Sequence, residues 1–183
     1  MKKSVKVNQI ILLLVFVILD FGCGSNDDQD MDPNNNTAGY FMKAKVNGTL
    51  VEFKTASLLG AEMSSSIQGV FDFTASGARQ MSGQSGLEES IVIILRETSP
   101  ITEKSYTGLA PFDYGFKGVI LGYSLEAEDK AYTTDSSNPN VTLQITEIKE
   151  SSVRGKFSGV VKDFLSGDTK TITEGEFFLR REN

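Results

Sequence analysis

The chain has 183 residues, a net charge of −6, a single cysteine, and neither histidine nor tryptophan. Lacking histidine, it has no Ser-His or Cys-His nucleophile pair, and with one cysteine it has almost no route to a Cys/His zinc site. The acidic balance disfavours nucleic acid as a partner, and equally any docking on anionic headgroups through a basic patch.

Residues 1–22 read as a secretory signal. Lys2, Lys3 and Lys6 precede an unbroken apolar run from Ile10 to Leu19. Ten residues suit a signal-peptide core and fall far short of the ~20 that a membrane-spanning helix needs. Gly22-Cys23 resembles the end of a bacterial lipobox, although Asp20 and Phe21 stand where lipoboxes carry an aliphatic and a small residue. The resemblance implies that Cys23 receives a diacylglyceryl group and becomes the membrane anchor, and more than one acyl chain gives durable attachment. A buried structural thiol is the competing reading of Cys23.

Residues 23–39 form the lipidated cysteine and a tether. The stretch from Gly24 to Ala38 has four aspartates and no cation, a composition too polar to offset its ordering entropy. Asp28, Asp30 and Asp32 have the spacing that opens a calcium-binding loop. Pro33 and Gly39 then break the pattern where glycine and glutamate are required, so no metal is expected. The acidic cluster behind the cysteine resembles the surface-export signal of Bacteroidetes-type lipoproteins. It implies an outward-facing domain; without such a signal the domain faces the periplasm.

Residues 40–183 are expected to form one all-β domain. Tyr40 to Val46, Asn47-Gly48 and Thr49 to Lys54 read as a hairpin whose turn residues tolerate positive φ. The register puts Met42 opposite Phe53, Ala44 opposite Val51 and Lys43 opposite Glu52. Ala56 to Met63 is compatible with a short helix. Ile67, Gly69, Phe71 and Phe73 form an alternating row, and Ser76 to Ser90 reads as a long loop. Ile91 to Leu95, apolar at every position, reads as a central strand covered on both faces or as one lying deep in a sandwich. Leu109 to Phe116 carries Phe112, Tyr114 and Phe116 in a turn-like context, either as a binding loop or as a cap on the core. Further period-2 rows run through Val119–Leu125, Val141–Ile145, Val153–Val161 and Thr171–Arg180. Gly155 and Gly159 on an inward row point to close backbone approach. These add up to an antiparallel β-sandwich or a partly open β-barrel of about eight strands, and periodicity does not separate the two.

Lys45-Val46-Asn47-Gly48-Thr49, Val141 to Thr146 followed by Val153 to Gly159, and the closing Ile172 to Phe177 resemble a family of uncharacterised Bacteroidetes-type lipoproteins. The resemblance implies an all-β domain in the cell envelope and no activity. Neither a nucleophile elbow nor a phosphate loop is present: Leu87 ends the only near match, Gly83-Gln84-Ser85-Gly86. Asp72, Asp113, Glu126, Glu128, Glu147, Glu174 and Glu176 are the acids from which a carboxylate-based hydrolase would draw its pair. The leading expectation is a non-enzymatic, lipid-anchored outer-membrane lipoprotein, surface-exposed or periplasmic, acting as a binding module without cofactor. Its partners are the membrane through Cys23 and an unidentified protein, glycan or small ligand. The alternative is a lipocalin-like carrier with a cavity lined by Phe71, Phe73, Tyr123 and Phe157.

Overall fold

The computed structural model describes residues 39–54, 58–67, 69–80, 87–125 and 128–182. The signal, Cys23, the calcium-loop residues, most of the tether and Glu126 lie outside the described residues. Asp32–Asn183 is one compact unit. Its twelve strands are β1 (Phe41–Val46), β2 (Thr49–Phe53), β3 (Leu59–Ile67), β4 (Val70–Gln80), β5 (Leu87–Glu97), β6 (Ser105–Thr107), β7 (Leu109–Phe112), β8 (Gly115–Leu125), β9 (Lys130–Thr134), β10 (Val141–Ile148), β11 (Ser152–Lys162) and β12 (Thr169–Glu182).

The strands make two curved layers joined at both sides. One layer runs β2-β1-β12-β11-β10-β6 and the other β3-β4-β5-β8-β9, with β7 on β8. At one corner the end of β12 pairs in parallel with β3, through Arg181–Ala61 and Glu182–Glu62. At the other, the end of β11 pairs with β9, through Val161–Thr134 and Lys162–Thr133. These two short junctions close a ring of seven strands, and every pairing except β12–β3 is antiparallel. The domain is therefore all-β, a sandwich joined into a flattened barrel, with twelve strands rather than about eight.

The first hairpin follows its sequence register residue for residue. Asn47 (φ 49°) and Gly48 (φ 84°) supply the two left-handed positions that a type I′ turn needs. The turn is docked on β12, where the Asn47 N–H donates to the Thr171 carbonyl (2.8 Å) and the Asn47 Oδ1 accepts from the Thr171 N–H (2.8 Å). Lys43 does face Glu52, but its amine binds Glu176 on the opposite neighbour at 3.0 Å, while Glu52 pairs with Lys54.

Three expectations are corrected and one choice is decided. No helix forms at the described part of Ala56 to Met63: Leu59 onward is β3, drawn into the sheet by pairing with β4 along seven positions. The row from Ile67 to Phe73 is broken by a turn at Gly69 (φ 79°); beyond it Phe73 joins the core, while Phe71, on the same face of β4, stays half-exposed. Most of the long loop at Ser76 to Ser90 is strand, and only 81–86 lies outside the described residues. Gly77 serves packing: a Cβ there would sit 2.8 Å from the Phe53 ring and 3.1 Å from Met42. Finally, of the two readings of Ile91 to Leu95 the structure has the strand deep in a sandwich rather than one covered on both faces: Ile91, Ile93 and Leu95 are fully buried, while Val92 and Ile94 are half-covered.

Among the described residues the interior carries one hydrophobic cluster. Phe73, Phe157 and Phe177 stack across the layers with ring centroids 6.1 and 6.4 Å apart, surrounded by Met42, Leu95, Leu121, Leu143 and Leu179. Gly155 and Gly159 do mark close approaches, to Phe177 and to the Asn140 carbonyl.

β12 carries a bulge at Thr173-Glu174, where its register with both β1 and β11 shifts. Glu174 is thereby forced to φ 52°, a conformation that costs a side-chain-bearing residue roughly 1 kcal/mol. Its carboxylate compensates by binding Lys45 at 2.8 Å, an exposed pair of small value. Glu174→Gly should therefore raise stability by about 0.5–1 kcal/mol, read as an increase in the urea midpoint. A decrease would mean that the ion pair outweighs the strain.

Candidate functional site

The segment Leu109 to Phe116 is a hairpin, β7 turning into β8, rather than a loop. Gly108 (φ 77°) lets the chain leave β6 and swing onto β8. Gly118 receives it: a Cβ there would lie 2.3 Å from the Gly108 carbonyl oxygen, to which the Val119 N–H donates at 2.8 Å. The aromatics are thus presented by a short ribbon at one end of the longest antiparallel stack.

Arg96, on the outer face of β5, organises this ribbon. Its Nε and Nη2 donate to the two carboxylate oxygens of Asp72 at 2.7 and 3.2 Å, a bidentate fork. Its Nη1 donates to the Tyr114 carbonyl at 2.7 Å, and its guanidinium lies 5.1 Å from the Phe116 ring centroid. Phe112 and Tyr114 meet edge to face at 5.6 Å. Lys117 adds a bridge to Glu97 at 3.5 Å. One cation therefore fixes the turn, and Tyr114 stays 52% exposed above it. A rigid aromatic with a polar tip is a contact element that loses little entropy on binding.

All three residues of the sequence-expected binding loop are thus brought into one ribbon. Phe112 and Tyr114 form one contact and Phe116 another, linked through Arg96. The residue that sequence reasoning missed is Arg96. Asp72 stood among the candidate acids, but no local spacing relates positions 72 and 96; only the β4–β5 register makes them neighbours.

Four of the remaining candidate acids sit beside cations. Glu128 lies 3.8 Å from Lys130, Glu147 lies 3.1 Å from Lys149 and 3.4 Å from Arg154, and Glu174 and Glu176 bind Lys45 and Lys43. The hydrogen bond and charge of Lys43 hold the Glu176 carboxyl below its ordinary range. Asp113 is exposed in the β7–β8 turn. Among the described residues no group of three or more acids could hold a metal ion.

A buried carboxylate lies elsewhere. Glu89, 8% exposed at the start of β5, accepts a hydrogen bond from the Tyr123 hydroxyl at 2.7 Å, and its second oxygen lies 3.5 Å from Arg79. Burial first, and this hydrogen bond next, push the Tyr123 hydroxyl well above its ordinary range. The sequence hid this pair: Glu89 falls in the stretch that reads as loop, and Tyr123 in an apolar row.

No family model, curated protein or solved structure matches the chain.

Proposed function

We propose that this chain is a lipid-anchored lipoprotein of the cell envelope, carried on the outer membrane through Cys23, whose β-domain is a non-enzymatic binding module contacting its partner through Phe112, Tyr114 and Phe116. The single observation that carries the reading is the Arg96 clamp. A partly buried cation on the outer face holds the backbone of an exposed tyrosine in a fixed position, rather than covering its side chain. The export pattern at Ile10–Leu19, the Gly22-Cys23 motif and the acidic tether support the anchored state, and with them the resemblance to Bacteroidetes-type lipoproteins.

The carrier reading is weaker because its expected cavity-lining residues pack on other core aromatics, Phe73 and Phe157 on Phe177 and Tyr123 on Tyr132. Phe73, Tyr123 and Phe157 belong to the packed core, and Phe71 lies half-exposed outside it. The carboxylate-hydrolase reading is weaker because Asp72, Glu128, Glu147, Glu174 and Glu176 each lie beside a lysine or arginine.

Two measurements in a host that lipidates exported proteins test the proposal. Wild-type chain should incorporate a palmitate analogue and stay with the membrane, and Cys23→Ser should lose both. A photo-reactive phenylalanine replacing Tyr114 should give a discrete cross-linked adduct on intact envelopes, whereas the same probe at Lys156 should not. Adducts equally strong at both positions, or none at 114, would remove the hairpin from the binding role.

A further inference from the structure

The most exposed apolar side chain in the described domain is not on the aromatic hairpin. Leu165 is 89% exposed, against 61% for Leu50 and 52% for Tyr114, and Phe164 beside it is 41% exposed. They cap the turn between β11 and β12, and that turn is built to hold them out. Asp163, 6% exposed, accepts from the Leu165 N–H through Oδ1 (2.8 Å) and from the Ser166 hydroxyl through Oδ2 (2.9 Å). The Asp163 N–H donates to the Asp168 carbonyl, and the Gly167 N–H to the Asp163 carbonyl, both at 2.8 Å. Gly167 supplies the left-handed position (φ 81°). Four hydrogen bonds on a six-residue turn fix a conformation that leaves two large apolar groups in water.

The tip lies far from where the chain joins the domain. β1 starts at Phe41, opposite Phe178, and β12 starts at Thr169. Nine strand residues separate the two, or about 30 Å. Fully extended, the residues from Cys23 to Gly39 span at most roughly 55 Å. A domain tied at Cys23 can therefore lie along a bilayer with this tip against it.

We propose that Phe164 and Leu165 form a membrane-docking finger that inserts into the interface of the bilayer carrying the anchor. The proposal rests on the lipid-anchored reading above. The size of the tip favours a bilayer over a protein. Its two side chains offer on the order of 250 Å² of apolar surface, against the roughly 800 Å² per partner of a stable protein interface. Charged side chains flank the tip: Lys130 lies 3.8 Å from Asp168, Lys162 lies 3.5 Å from Asp135, and the Lys170 amine lies 5.5 Å from the Tyr132 ring centroid. To reach headgroups as the tip enters the acyl boundary, these lysines exchange weak surface contacts for lipid ones. Two side chains bind a bilayer only weakly by themselves. For a domain already confined to the surface the insertion is intramolecular, and a weak preference then suffices to set orientation. Such docking would lay the domain on the membrane instead of letting it stand off on its tether.

The test uses the absence of tryptophan from the chain. Leu165→Trp becomes the only reporter. Residues 24–183, which contain the compact unit, carry an N-terminal hexahistidine and are held on phosphatidylcholine vesicles doped with nickel-chelating lipid. This supplies the attachment independently of lipidation. The expected result is a blue-shifted emission that brominated acyl chains quench, with a second substitution, Phe164→Ser, lowering the inserted-to-free ratio roughly tenfold. Emission that stays red and open to iodide on the vesicle surface would overturn the proposal. So would a blue shift that brominated lipid does not quench, since the tip would then be buried against protein, including a second copy. Palmitate-analogue labelling of Cys23 in the full chain is scored separately. Quenching without labelling would leave the finger standing and remove the natural anchor; labelling without quenching would do the reverse.

Discussion

Replacing Gly155 by alanine is expected to destabilise the domain by about 2–4 kcal/mol, measured by urea denaturation. In an unstrained strand the same change stabilises by a few tenths, because alanine has less unfolded-state freedom to lose. The sign is decided by space. A Cβ on Gly155 would lie 2.4 Å from the tip of the Phe177 ring and 2.6 Å from the Gln144 carbonyl oxygen, and neither can retreat easily. Phe177 is wedged between Phe73 and Phe157, and Gln144 is held by the β10–β11 ladder. The partner relation is reciprocal: Phe157 lies over Gly175, where a Cβ would meet the Phe157 carbonyl oxygen at 2.4 Å. Two glycines on facing strands thus each make room for the aromatic of the other strand, through the pairs Gly155–Phe177 and Phe157–Gly175. Phe177→Leu in the Gly155→Ala background should recover part of the loss, since it withdraws the ring but not the Gln144 carbonyl. An additive double mutant would mean that the ring is not the obstacle.

The glycines also show which part of this fold is legible in a sequence. The rows Val141–Ile145 and Val153–Val161 declare their inward faces, and the glycines among them mark close approach because nothing else suits an inward strand position so poorly. The first hairpin is legible for a different reason: Asn47-Gly48 fixes the loop length, which fixes the register, which fixes every facing pair. Both are local signals, and both survive in the structure.

What was not legible depends on contacts distant in sequence. Gly77 looks like loop because its lack of a side chain makes room for Phe53 and Met42, which arrive from another layer. Phe71 looks inward because it shares a strand face with the buried Phe73, and alternation does not show that Phe71, two residues after the turn at Gly69, stays half-exposed. The choice between sandwich and barrel rests on two junctions of two residue pairs each, at Ala61-Glu62 and Thr133-Thr134. At the candidate site the aromatics were visible as a cluster in sequence, whereas the cation that fixes them was not, since Asp72 and Arg96 meet only through the β4–β5 register. Ion pairing was misjudged for a related reason: Lys43 has a neighbour on each side, and the sequence displays only the hairpin side.

The second large effect is expected in alkali. Tyr123 donates to the buried Glu89, and burial, that hydrogen bond and the nearby charges of Glu89 and Glu128 all oppose its ionisation. Its folded pKa therefore lies above the unfolded value of about 10. For a raised pKa, the stabilisation is complete below the unfolded value and is lost as pH rises through the window above it. Between pH ~10 and the raised folded value the unfolded chain releases a proton that the folded chain keeps, so stability falls by up to about 1.4 kcal/mol per pH unit. Other groups titrate in the same range, so the difference between wild type and Tyr123→Phe isolates this one. At neutral pH the variant should lose about 1–2 kcal/mol, because Glu89 stays buried with one donor fewer. Above pH ~10 its urea midpoint should decline less steeply than that of wild type, and the two curves should converge. Parallel alkaline limbs would mean that water reaches the Tyr123 hydroxyl in the folded state, and that the Glu89 end of the barrel is open rather than sealed by this pair.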